Sequence, residues 1–263
     1  MRRFNYGEMY NFKIKHPLGP LNWIRNREIL RFFNRIPKNK GIKILDLGCG
    51  KAYLDIELAK RKYNATGVDL SSEALFFAKN LAKKNHVANR TKFIQSDIKK
   101  LNLKDKYDVV ICSEVIEHFK DDNSVVKIIY DSLKNGGYGI ITVPYNPKLW
   151  NPLDEASGHY HRYSIRQISD LIKKNGLVIK RMRVYGFPLM RIFRFFYNMT
   201  LAKKKTSSNN ECLIHSYGYT PKGGMLSLYN LLSPIIFRIF YFDDFFNFTR
   251  KGIDIIILVR KTG

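Results

Sequence analysis

From residue 42 onward, short apolar runs alternate with stretches whose apolar residues recur every three or four positions. Residues 42–47, 64–70, 91–95, 107–113 and 138–144 have the length and β-branched content of strands. The run 107–113 is almost continuously apolar, as expected of a parallel strand covered on both faces. The spacing predicts helices over 52–62, 71–85 and 124–134 between them. Ser71 is suited to cap the second, with Glu73 as an early acid, and Asn135-Gly136-Gly137 to end the third. A helix over 164–175, again followed by a glycine, leads into a strand at 177–185. This repeated alternation predicts a doubly wound α/β sheet.

After Gly186 the pattern changes. Residues 187–201 and 225–242 are apolar and aromatic on most faces and are joined by a polar, Lys-rich loop at 203–210. The chain then closes on Gly252-Ile-Asp-Ile-Ile-Ile-Leu-Val-Arg260, which reads as one more buried strand, the seventh. The expected division is a basic N-terminal helical segment (1–40), a core of 41–185 completed by 252–263, and an aromatic helical insertion (186–251) before the last strand.

Composition changes the picture in one respect. The formal charge is +24, a value that invites nucleic acid or an anionic membrane as partner. It is unevenly spread: residues 1–45 hold eleven basic and two acidic residues, 46–170 hold nineteen and sixteen, and 171–263 hold sixteen and four. The core is therefore nearly balanced and the ends carry the charge. At 45% hydrophobic and 14% aromatic the chain is not a disordered tail. Three scattered cysteines with no CxxC spacing suggest neither a disulfide framework nor a zinc site. The basic start lacks a following apolar stretch, so no signal peptide is expected and a cytoplasmic location is.

The chemistry is concentrated where the first strand ends, in Ile44-Leu-Asp46-Leu-Gly48-Cys49-Gly50-Lys-Ala-Tyr. A strand ending in Asp, then Gly-x-Gly and a helix, lets backbone amides approach a ligand closely. Asp69, nineteen residues past Gly50, ends the second strand, where an acid can accept both hydroxyls of a ribose. Asp97 and Ile98 follow the third strand, where an adenine edge would lie. A dinucleotide fingerprint is disfavoured, because its third glycine falls at Tyr53 and Asp46 would sit poorly beside a pyrophosphate. Any one of these residues alone has an ordinary reading, such as a strand–helix turn or a helix cap; five elements in order do not.

Together, Asp46-Leu-Gly48-Cys-Gly50, Val68-Asp69-Leu-Ser71, Ser96-Asp97-Ile98, Tyr107-Asp-Val-Val-Ile111 and Leu133-Lys-Asn-Gly-Gly137 resemble the motif series of class I S-adenosylmethionine (SAM)-dependent methyltransferases. The resemblance covers about 42–185 and the closing strand. It implies a Rossmann-like, mostly parallel seven-stranded sheet with SAM as cofactor. By the same resemblance Asp46, Gly48, Cys49 and Gly50 lie near the methionine moiety, Asp69 and Leu70 near the ribose, Asp97 and Ile98 at the adenine, and Ser113 and Glu114 beside the cofactor. Ala52 stands where the family often has a third glycine, which would weaken binding at most.

Glu114-Val-Ile-Glu117-His118 follows the fourth strand. It is similar to a segment of ubiquinone-pathway O-methyltransferases and of small-RNA 2′-O-methyltransferases, in which equivalent residues can hold a divalent cation. If the segment is helical, Glu114, Glu117 and His118 share one face. The other reading assigns no metal and makes His118, His159 or His161 a general base, since imidazole titrates near neutral pH. The insertion reads as a lid, an interfacial segment on the inner membrane face, or a span weakened by Pro234 and Asn230. Aromatics in long aliphatic company favour lipid or a lid over stacked bases. The expected activity is O-methylation of a small or lipid-linked metabolite, with RNA 2′-O-methylation and non-catalytic SAM binding as alternatives.

Overall fold

The computed structural model describes residues 19–37, 41–101, 103–203, 238–246 and 248–262. Seven strands form one sheet: β1 (Lys43–Leu47), β2 (Asn64–Asp69), β3 (Thr91–Gln95), β4 (Tyr107–Ser113), β5 (Leu133–Pro144), β6 (Leu177–Tyr185) and β7 (Asp254–Lys261). Their order is β3-β2-β1-β4-β5-β7-β6. β1 to β5 pair in parallel, and β7 runs antiparallel to β5 with Ile257 opposite Ile141. The α/β fold and the mostly parallel seven-stranded sheet are as expected, with the insertion before the last strand. The central strands consist of buried branched residues, among them Ile44, Leu45, Val109, Ile111, Ile140 and Ile255. Such residues suit a sheet with helices on both faces.

Strand order reverses between β1 and β4, so the chain departs from their carboxyl ends to opposite sides and leaves a crevice there. The helices α1 (Pro20–Phe33), α2 (Tyr53–Lys60), α3 (Ser72–Lys84), α4 (Asp122–Ser132), α5 (Pro152–Ala156), α6 (Ile165–Lys174) and α7 (Leu189–Lys203) complete the fold. Ser71 accepts from the Ala74 amide and caps α3 as its position predicts. One boundary differs. The third helix was expected to run to residue 134 and the glycines to end it, but α4 stops at Ser132 and Leu133 already pairs with Tyr107. Leu133 is fully buried, and the register then shifts before Val109 pairs with Tyr138. Gly136 and Gly137 serve this irregular strand instead: Gly136 has φ +78°, and a Cβ on Gly137 would lie 2.9 Å from the Lys134 carbonyl.

The described residues fall into two compact units: 29–150, 159–183 and 254–262 hold the sheet, while 19–28, 151–158 and the described part of 184–253 form a helical unit. In the helical unit Asp243 accepts from the Leu189 and Met190 amides and so satisfies the first turn of α7. Arg27 pairs with Asp244 at 2.7 Å, and its guanidinium lies over the rings of Trp23 and Tyr241. Ile192, Phe195 and Phe196 are exposed on one face of α7, and Tyr241, Phe242, Phe245 and Phe248 are exposed further on. Residues 1–18, the loop 204–210, Cys212 and the apolar stretch 225–237 lie outside the described residues. Among the described residues no helix is long and apolar enough to cross a membrane.

Candidate cofactor and active site

The loop after β1 is built from backbone constraints. Gly48 and Gly50 have φ of +73° and +52°, the left-handed region that glycine enters without strain. The Gly48 and Cys49 amides both donate to the Val68 carbonyl, at 2.8 and 3.0 Å, which ties the loop to β2. Asp69 finishes the link: its Oδ2 accepts from the Gly50 amide at 2.7 Å and its Oδ1 from the Ser71 amide at 2.9 Å. The carboxylate thus orients two successive turns at the carboxyl edge, where it can also meet a ribose. Ala52 takes the left-handed conformation, with φ +57°, at the start of α2, where a glycine would be unstrained. Its methyl group is buried, so the third-glycine departure is tolerated in the fold.

Beside this loop Asp97 accepts from the Lys99 amide and begins a 3₁₀ turn, Ile98–Lys100, whose first residue is buried. Leu70 is 73% exposed; an apolar side chain left in water at this edge can cover a flat ring. The Ser96 amide donates to the Asp69 carbonyl, which keeps the β2 and β3 ends in step. At the end of β4, Ser113 Oγ lies 3.0 Å from Thr142 Oγ1, and Thr142 donates to Glu114 Oε1 at 3.1 Å.

One acid escaped sequence reasoning. Asp55, in the first turn of α2, is completely buried and faces Asp46, which is 4% exposed. Burial, then the charges of Asp55 and Asp69, push the Asp46 carboxyl well up, and burial pushes Asp55 up to about 7. Burial and the same three carboxylates push the Cys49 thiol up as well, an environment that disfavours the thiolate a nucleophile needs. The available signal was an acid in the apolar series Leu54, Ile56, Leu58 and Ala59, on the side of the helix that is buried.

The helical turn that would put Glu114, Glu117 and His118 on one face is not formed. The Glu114 amide donates to the Thr142 carbonyl and extends the β4–β5 ladder by one residue. The chain then turns at Glu114 with φ +54°, and only Ile116–His118 form a 3₁₀ turn. A different set assembles. The Tyr163 amide donates to the Pro144 carbonyl and the Tyr160 amide to the Glu117 carbonyl, which folds 159–163 onto the end of β5. His159 thereby reaches His118, with ring centroids 4.7 Å apart and edge to face. Glu117, His118 and His159 each offer a ligand atom, all within 4.8 Å of one another. One carboxylate and two imidazoles form a donor set suited to a divalent cation such as zinc or manganese. Glu114 and His161 do not belong to this set. His161 lies beside Tyr163, and its Nε2 is buried without a hydrogen-bond partner.

Comparison with known proteins bears on this geometry. A family model described as "Methyltransferase domain" matches residues 38–181, more than half of the chain. The chain belongs to that family. Its matched region is a class I SAM-dependent methyltransferase domain. It is 32% identical over 142 residues to a "Ubiquinone biosynthesis O-methyltransferase" of Pseudomonas savastanoi pv. phaseolicola, covering 53% of this chain and 57% of that protein. The methyltransferase chain thus spans little more than half the length of the curated relatives it matches. Geranyl diphosphate C-methyltransferase from Streptomyces coelicolor, crystallised with S-adenosyl-L-homocysteine, has the same fold at a TM-score of 0.61 and 14% identity, covering 92% of this chain and 80% of the other. Phosphoethanolamine N-methyltransferase 2 of Haemonchus contortus, solved with SAM, matches at a TM-score of 0.60 and 20% identity, covering 98% of this chain and 56% of the other.

Proposed function

We propose that this methyltransferase moves the methyl group of SAM to an oxygen of a small or lipid-linked acceptor by in-line displacement. The observation that carries the reading is the convergence of Asp46, the loop 48–50 and Asp69 where strand order reverses. In this reading Asp69 takes the ribose hydroxyls, Leu70, Asp97 and Ile98 border the adenine, and Asp46 faces the methionine end. Ser113 and Glu114 line the cofactor at the end of β4. Displacement at a sulfonium methyl depends mainly on holding the two reacting atoms in line. A base is needed only to remove the acceptor hydroxyl's proton, and His118, His159 and His161 are the candidates. Where a divalent cation is bound, Glu117, His118 and His159 hold it, and it supplies a Lewis acid for that hydroxyl.

The oxygen acceptor is supported by the names of the ubiquinone-pathway relatives. An apolar or lipid-linked acceptor, met at an anionic membrane face, is supported by the exposed aromatics of the helical unit and by the basic ends of the chain. His118→Ala is expected to lower turnover by on the order of 100-fold while SAM affinity stays within about twofold. Steady-state rates beside calorimetric affinity check this, and unchanged turnover removes His118 from the chemistry. The reading as a whole is tested by incubating the protein with methyl-labelled SAM and cell extract, then separating lipid, small-molecule and RNA fractions. Label in the lipid or small-molecule fraction supports it. Label in RNA, lost steeply as salt rises, replaces the acceptor with a 2′-hydroxyl. SAM bound intact with no transfer leaves a non-catalytic binding protein.

A further inference from the structure

Asp55 has no assigned role, and its surroundings are unusual for a buried carboxylate. It is fully enclosed, and apart from a proton it can share with Asp46 and a contact with its own backbone amide its oxygens have no hydrogen-bond partner. Among the described residues no Lys or Arg is paired with either acid. A third carboxylate, Asp69, faces Asp46 from β2, and the Cys49 thiol faces both acids of the pair from the loop. The contacts that α3 and β3 make on α2 are apolar: Phe77 against Tyr53, and Leu81, Ala82 and Phe93 around Ile56 and Ala59. Lys51, the nearest lysine in sequence, is itself buried and is pulled down to about 7 by that burial. Two enclosed carboxyls that face one another without a cation cannot both be ionised, so they hold a proton between them.

We propose that Asp55 is a second acid of the cofactor cradle, and that with Asp46 it forms a pair which gives up its shared proton to solvent when the cationic methionine end of SAM arrives. This rests on the reading of the loop 48–50 as the SAM site. The charges balance: the free pair carries one negative charge and one proton, and the methionine end, whose ammonium, sulfonium and carboxylate sum to one net positive charge, takes the place of that proton. Asp55 acts through Asp46, as a positioning residue. A purely structural account exists, since an acid in the first turn of a helix is favoured by the helix dipole, and it predicts no proton release on binding.

The test is calorimetric titration of the whole chain with SAM at neutral pH in two buffers of different ionisation enthalpy. Wild type is expected to release roughly half a proton to one proton per SAM bound, and Asp55→Asn to bind SAM with no release. A variant that releases as many protons as wild type, or a wild type that binds and releases none, overturns the proposal. The second measurement needs no variant. The Kd of wild type for SAM is expected to tighten as pH rises from about 5.5 to about 7, a range in which the ligand's own ammonium stays largely protonated. The slope of the logarithm of affinity against pH then equals the protons released, and a flat profile overturns the proposal. Absence of any binding to SAM overturns the site reading itself and is distinguishable from binding without proton release.

Discussion

Asp69→Ala is expected to weaken SAM binding by roughly a hundredfold, the equivalent of about 3 kcal/mol. The carboxylate has two tasks at once. It accepts from the Gly50 and Ser71 amides at 2.7 and 2.9 Å, which holds the glycine loop against the start of α3. In the proposed complex it also receives the ribose hydroxyls. Hydrogen bonds to an ionised acceptor contribute about 1.5–3 kcal/mol each, so losing this set accounts for the expected drop. Part of the effect comes from a loop that no longer holds its shape before the cofactor arrives. Asp69→Asn keeps one acceptor oxygen and should lose less. Calorimetry on both variants checks the order, and a Kd for Asp69→Ala equal to that of wild type would remove Asp69 from the site.

Gly48→Ala is the second large effect, and its cause is steric. Gly48 has φ +73°, and an added Cβ would run into the Val115 side chain from the segment after β4. The left-handed backbone costs a residue with a Cβ about 1–2 kcal/mol, and overpacking adds about 1–3 kcal/mol. Both should appear as a lower melting temperature and a lost or strongly weakened SAM site, because the Gly48 amide holds the loop to Val68. Gly50→Ala is the contrast: φ is +52°, but nothing lies within 4 Å of the new Cβ. It should cost only the backbone penalty, about 1–2 kcal/mol. Val115→Ala added to Gly48→Ala should recover the steric share and leave the backbone share, a coupling that a double-mutant cycle measures. Equal destabilisation by Gly48→Ala and Gly50→Ala would show that the Val115 contact is unimportant.

The sheet was legible from the chain because each strand carries its own signal. The strand 107–113 was recognised residue for residue, since a run buried on both faces is almost continuously apolar. The end of α4 was misjudged for a related reason: Asn135-Gly136-Gly137 has the composition of a helix cap, and only the pairing of Leu133 with Tyr107 shows that the strand has already begun. The Gly48, Gly50 and Asp69 cluster was visible because the parallel βα frame brings the ends of consecutive strands to one edge. Glu114 would share a face with Glu117 and His118 only if the segment were helical, which spacing alone cannot decide. One more ladder hydrogen bond, to Thr142, turns the backbone the other way.

The sequence by itself determined the alternation of strands and helices, the glycine loop with its acids at the strand ends, and the separation of a nearly neutral core from basic ends. All of these are properties of residues close together in the chain, where period, spacing and charge act directly. The tertiary structure alone decided which distant groups share a neighbourhood. It placed Asp55 against Asp46 by turning that side of α2 inward, and it brought His159 to Glu117 and His118 by folding 159–163 onto the end of β5. Contacts of that kind depend on how elements pack across the sheet, and packing is set by the sum of many burials that no local pattern records.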